Sequence, residues 1–155
     1  MSRETLFKGK RIDNGEWVEG YLFGDGIINS NRMFIGELTI EDYKGNADDG
    51  PTIITGSYYS EVDPETVCQY TNKSDDNDVP ICEEDFVKIN DDWIGRVIWS
   101  ERDTAFCVFP NDDIEYETYC LGYYISEGYQ IEAIGNIFDN PELLKAGQQS
   151  ESPIT

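Results

Sequence analysis

EVDPETVCQYTNKSDDNDVPICEEDFVKINDDWIGRVIW, residues 61–99, holds the densest run of structural signals in the chain. Asp63-Pro64-Glu65 has the form of a helix start: the aspartate accepts from free backbone N–H groups, and proline sits at the first helical position, where its missing donor does no harm. Val67 and Tyr70, three apart, are expected to share one face of that short turn. Residues 71–85 carry six acids and a single lysine, and predict a loop or tight hairpin facing water. FVKIN (86–90) and WIGRVIW (93–99) flank Asp91-Asp92 and predict a hairpin, with Phe86, Lys88 and Asn90 facing opposite to Val87 and Ile89. Gly95 suits a bulge or sharp bend.

Downstream, Ala105–Phe109 ends at Pro110 and supplies a further strand; residues 116–125 (YETYCLGYYI) and 129–138 (YQIEAIGNIF) are expected to supply two more. Five short antiparallel strands with internal glycines predict a small barrel of the SH3 type over 61–139. Asn140-Pro141-Glu142 repeats the cap grammar of Asp63-Pro64-Glu65, so a short helix over 140–147 is expected, stopped at Gly147, with 148–155 as a flexible tail.

Upstream, residues 6–23 contain Asp13-Asn14-Gly15, and Asn14-Gly15 predicts a two-residue type I′ hairpin turn. Residues 25–36 predict a second hairpin, with its tip at Asn29-Ser30-Asn31 and Ile27, Ile28, Met33, Phe34 and Ile35 on its arms. An exposed loop is expected over 41–51 and a strand over Thr52–Tyr59, with Gly56 a candidate bulge. The fold class is therefore mainly β: an antiparallel N-terminal section over 1–60, a barrel-like section over 61–139, and short helical turns near 64–70 and 141–146, all in one domain over 1–147. The aromatic content, 10 Tyr, 7 Phe and 3 Trp, fits pleated, half-buried surfaces.

Charge sets the chemistry. The 155 residues include 32 acids, 11 bases and no histidine, for a formal charge of −21. Residues 1–60 carry 10 acids and 6 bases, whereas 61–155 carry 22 and 5. Such a surface repels phosphate backbones, so direct nucleic-acid binding is not expected. Lys8, Lys10 and Arg11 form the one dense basic cluster, which is either a contact for phosphate or an acidic partner or, as the simpler reading, charge on a solvent face offsetting nearby acids.

Asp75, Asp76, Asn77 and Asp78 raise the question of calcium, which takes clustered oxygen ligands. Counted from Asp76, the third position is Asp78 but the fifth is Pro80 and the sixth Ile81, where a calcium loop wants another oxygen and then glycine. The cysteines at 68, 82, 107 and 120 contain no close pair and, without histidine, lack zinc-ligand spacing. No cofactor or metal is expected.

Without histidine the usual general base near neutral pH is missing, and the cysteines sit in acidic surroundings that oppose thiolate formation. Enzymatic activity is not expected, an unrecognised carboxylate site being the remaining route to one. The expected surface is an acidic protein-binding one, with Asp75, Asp76, Asp78, Glu83, Glu84 and Asp85 as its candidate residues and an unidentified protein as partner. A sharper variant is a nucleic-acid mimic whose carboxylates occupy the basic groove of a host DNA-binding or defence protein. Trp17, Tyr21, Trp93, Trp99, Tyr123 and Tyr124 are candidate anchors, most of them expected in the core. No run approaches the roughly 18 apolar residues of a membrane span, and MSRETLFKGKR (1–11) lacks the apolar core expected of a signal peptide. A cytoplasmic protein with reduced thiols is expected, its self-association into a homo-oligomer left open.

Three blocks resemble the YopX family of bacteriophage and prophage proteins: FKGKRIDNGEWVEGYL (7–22), EVDPETVCQYT (61–71) leading into EEDFV (83–87), and IGNIFDNPELL (134–144). The resemblance implies a predominantly β fold, a phage or prophage context in a bacterial host cell, and no established activity or catalytic residue. It also implies two departures. Cys68 stands where members typically have glycine, and the usual basic, glycine-containing loop is here acidic, with Glu84 in the glycine's place.

Overall fold

Strands β1 (Phe7–Lys10) and β2 (Trp17–Gly24) pair antiparallel, Phe7 opposite Gly20 and Lys10 opposite Trp17. The connection is longer than the expected two-residue turn. Arg11 N–H donates to Glu16 O at 2.9 Å and Gly15 N–H to Arg11 O at 2.9 Å, enclosing a four-residue loop in which Gly15 alone has the left-handed backbone, φ +73°. Asn14 instead holds the loop through its side chain, accepting from Glu16 N–H at 2.9 Å. The computed structural model describes residues 4–28, 30–39, 55–110 and 117–146.

β2 does not stop at Phe23. It pairs directly with β3 (Met33–Thr39), so in place of a separate hairpin over 25–36, residues 25–32 connect β2 to β3 and Met33–Gly36 open β3. Ile27 and Ile28 lie in that connection, 67% and 89% exposed, because Asp25 holds it as a side-chain-built turn: its carboxylate accepts from Ile27 N–H and from Ser30 Oγ. β4 (Thr55–Val62) pairs with β3, and the register slips between Glu37 and Leu38 opposite the Gly56 region, where a bulge is expected. The loop expected at 41–51 and the strand start at 52–54 lie outside the described residues.

Asp63 caps a single 3-10 turn, Pro64–Thr66, accepting from Glu65 N–H at 3.0 Å. The turn ends at once: Val67 is extended and β5 spans Cys68–Ser74, so Val67 and Tyr70 share no helical face. Burial explains this, since extended backbone lets β5 hydrogen-bond to β1 while Cys68 is fully buried.

The chain divides into two compact units, Met1–Gln69 and Tyr70–Thr155, a boundary nine residues beyond the one expected at 60. In the first, the strand order is β4-β3-β2-β1-β5, and Ile35 and Val62 are buried against Gly9.

β5 continues into the second unit and pairs there with β6 (Pro80–Cys82). β7 (Asp85–Ile89), β8 (Trp93–Ser100), β9 (Ala105–Pro110) and β10 (Ile131–Asn136) form an antiparallel sheet in the order β10-β7-β8-β9. The turn between β7 and β8 uses Asn90 and Asp91, both left-handed at φ +50° and +56°, one residue earlier than Asp91-Asp92. Gly95 is no bulge, for β8 pairs in regular register on both sides. A Cβ there would meet Val108 Cγ1 at 2.5 Å and the Trp93 ring at 2.7 Å, so glycine is required by packing. The slip falls in β10 between Ala133 and Gly135.

The strand expected over 116–125 is overturned: Leu121–Ser126 is a helix, α1. Leu121 and Tyr124, three apart, put their side chains on one face and into the core, a helical spacing that aromatic and β-branched content concealed. That core gathers Ile81, Val87, Ile89, Val97, Val108, Leu121, Tyr124 and Ile131; each such fully buried aliphatic side chain contributes about 1.5–3 kcal/mol. A second helix, α2 (Leu143–Ala146), follows Asn140-Pro141-Glu142, with Leu143 N–H donating to Asn140 O at 3.0 Å. Gly147 and the tail lie outside the described residues. No described helix is long and apolar enough to cross a membrane.

Candidate functional site

The six acids that the sequence singles out divide by position. Asp75 directly follows β5 and, with Val79, closes a turn: Asp75 N–H donates to Val79 O at 2.9 Å and Asp78 N–H to Asp75 O at 3.1 Å. Asp75 is 6% exposed, so the loop does not simply face water. Its Oδ1 accepts from Asn77 N–H and Val79 N–H, and its Oδ2 from Ala133 N–H of β10, each at 2.9 Å. Burial pushes this carboxyl up, but the N–H groups of Ala133, Val79 and Asn77 together outweigh it and hold the group below the usual range.

Asp76 adds a second tie to β10, its N–H donating to Ile131 O at 3.0 Å and its Oδ2 accepting from Ile131 N–H at 3.1 Å. Asp85, 5% exposed, accepts from Cys82 N–H at 2.8 Å and closes the turn from β6 to β7. In that turn Glu84 pairs with Arg96 of β8, Arg96 Nε donating at 2.5 Å. Its backbone is left-handed, φ +70°, which accounts for the glycine that the resemblance places there. Glu83 is half-buried in the same turn.

Asp76 and Asp78 therefore remain as exposed acids of the six. The fold adds two that the sequence reading missed. Asp91, from the β7–β8 turn, and Glu132, on β10, join Asp76 around a shallow depression of about 190 Å³ that also contains Asn77, Lys88 and Gln130. Lys88 Nζ lies 2.6 Å from Asp91 Oδ1, and that hydrogen bond and charge raise its pKa. The Asp91-Asp92 pair was visible as turn residues, but nothing local marks Glu132 as their neighbour. Among the described residues no group of three His, Cys, Asp or Glu side chains is placed to hold a metal ion.

In the first unit a wide depression of about 680 Å³ is lined by Glu19 and Glu37 together with Val18, Ile35, Tyr58 and Tyr59. The residues of its basic cluster are half-buried and have partners within the unit. Lys8 and Lys10 stand 5.1 and 5.2 Å from the centre of the Trp17 ring, and Arg11 is paired with Asp13. Of the candidate anchors, Tyr124 is buried, Trp93 and Tyr123 are packed half-buried on the core, Trp17 and Tyr21 are half-buried, and Trp99 is 40% exposed against Phe106. Tyr119, not singled out from the sequence, is 57% exposed and stacks on Tyr123 at 4.3 Å.

Three of the four cysteines are shielded from solvent. Cys68, Cys82 and Cys107 are fully buried. Burial, then the charge of Asp103, pushes the Cys107 thiol up to about 11.

These residues define a small, mainly β protein built on antiparallel sheets, with an acidic turn tied into the second of them. The chain belongs to the YopX family: the family model described as YopX protein matches residues 9–145. No curated protein matches it.

Proposed function

We propose that this chain is a non-enzymatic accessory protein of a phage or prophage, acting in the bacterial cytoplasm by binding a basic surface on a protein partner. One observation carries the reading. Among the described residues, at least five basic side chains are already paired with the chain's own acids: Arg11 with Asp13, Arg32 with Glu61, Lys88 with Asp91, Arg96 with Glu84 and Arg102 with Asp103. The chain carries a formal charge of −21, and its exposed acids, Asp76, Asp78 and Glu132 among them, favour fast, salt-sensitive association with a positive partner. The contact is assigned to the end of the second unit that carries Asp76, Asp78 and Glu132, with Asp91 beside them sharing its charge with Lys88.

Retention of host proteins on the immobilised chain at low and then high salt tests this, with the triple variant Asp78→Asn, Asp91→Asn, Glu132→Gln run alongside. A discrete basic protein held by the wild type at low salt, released at high salt and lost from the variant supports the reading. Equal retention by both proteins removes it.

A further inference from the structure

We propose that Cys107 and Cys120 are a redox pair that closes into a reversible intramolecular disulfide, tying the start of α1 to β9. The two residues are partners in an isolated antiparallel bridge. Val108 N–H donates to Tyr119 O at 3.4 Å, a bond between the residues flanking the pair. This places Cys107 opposite Cys120 in a non-hydrogen-bonded site, the one whose side chains stand closer, with Cα atoms typically about 4.5 Å apart. Such a spacing lies inside the range of about 4.4–6.8 Å that a disulfide spans without backbone movement. Thr118 Oγ1, donating to Val108 O at 2.6 Å, helps to hold the two segments together.

All four cysteines are free thiols, and their exposure selects one entry point. Cys68, Cys82 and Cys107 are fully buried, while Cys120, immediately before α1, is partly exposed. The oxidant is a small disulfide. The Cys120 thiolate attacks one of its sulfurs, forming a mixed disulfide and expelling a thiolate; the Cys107 thiolate then attacks Cys120 Sγ and expels the second. The two protons released by the cysteines leave on the two thiols formed, so two protein thiols are oxidised as one small disulfide is reduced. Cys107 donates its S–H to Asp103 Oδ2 at 3.8 Å, and its burial-raised pKa makes the closing step faster as pH rises.

The folded full-length chain is incubated with oxidised glutathione, its free thiols are blocked by alkylation, and digested peptides are mapped by mass. The expected product is a single cross-link between Cys107 and Cys120, reversed by dithiothreitol and accompanied by a rise of more than about 5 °C in the unfolding midpoint. Glutathione left on Cys120 with no cross-link overturns the proposal, as does a link between any other pair or no modification at all. In Cys120→Ser, Cys107 is expected to stay unmodified under the same conditions; its modification there at the wild-type rate overturns the role of Cys120 as the entry thiol.

Discussion

Asp75 and Ala133 are 58 positions apart and joined by one hydrogen bond of 2.9 Å, the Ala133 N–H donating to Asp75 Oδ2. Through it a buried carboxylate in the β5–β6 turn holds β10 beside its bulge. Two further backbone donors complete its coordination, so this acid belongs to the framework of the second unit.

Replacing Asp75 by Asn keeps the shape but sets an NH2 group against backbone donors. A loss of about 1–3 kcal/mol in denaturant unfolding is expected. The acid's folded pKa is depressed from the ordinary 3.8, so its contribution is present above about pH 4 and is lost as pH falls through the lower folded value. The variant should lack this part of the acid-side decline; an unchanged pH profile would count against the assignment.

Glu84 combines a left-handed backbone with an ion pair to Arg96. Alanine removes the pair and keeps the strain, whereas glycine removes both. Glu84→Gly should therefore be more stable than Glu84→Ala by about 1 kcal/mol, measured by urea midpoints, and equal midpoints would contradict the strained backbone.

Two glycines predict opposite outcomes for the same change. Gly95→Ala drives a methyl into Val108 and Trp93 and should cost about 1–3 kcal/mol. Gly122→Ala, in α1 with open space at its Cβ position, should stabilise by about 0.4–1 kcal/mol. Thermal unfolding of the two variants decides both.

Charge removal at Asp78 and Asp91 separates binding from folding. Both side chains are exposed, so Asp78→Asn with Asp91→Asn should shift the unfolding midpoint by less than about 2 °C while weakening salt-sensitive capture of a basic partner. A large loss of stability would instead place these acids with Asp75 in the framework.

Local chemistry alone determined much of this protein. The cap at Asp63-Pro64-Glu65, the hairpin between β7 and β8, β9 ending at Pro110 and α2 after Asn140-Pro141-Glu142 all rest on residues within a few positions of one another, and each was legible in the sequence. Elsewhere the reading and the structure differ, and at two places the cause is an overlap of signals. In α1, Leu121 and Tyr124 are three apart in a segment whose aromatics suggest a strand, and only the core they enter selects the helix. At Gly95, an absent side chain suggested a bend, whereas the cause is the approach of Val108 from β9. The candidate site shows the same limit most clearly. Six acids in one run looked alike as sequence, but Asp75 and Asp85 are spent on backbone donors and Glu84 on Arg96, while Asp91 and Glu132 arrive from elsewhere. Which carboxylates are buried and which face solvent depends on strand pairing across 58 residues, and no local pattern encodes a partner that only the tertiary fold brings within hydrogen-bonding distance.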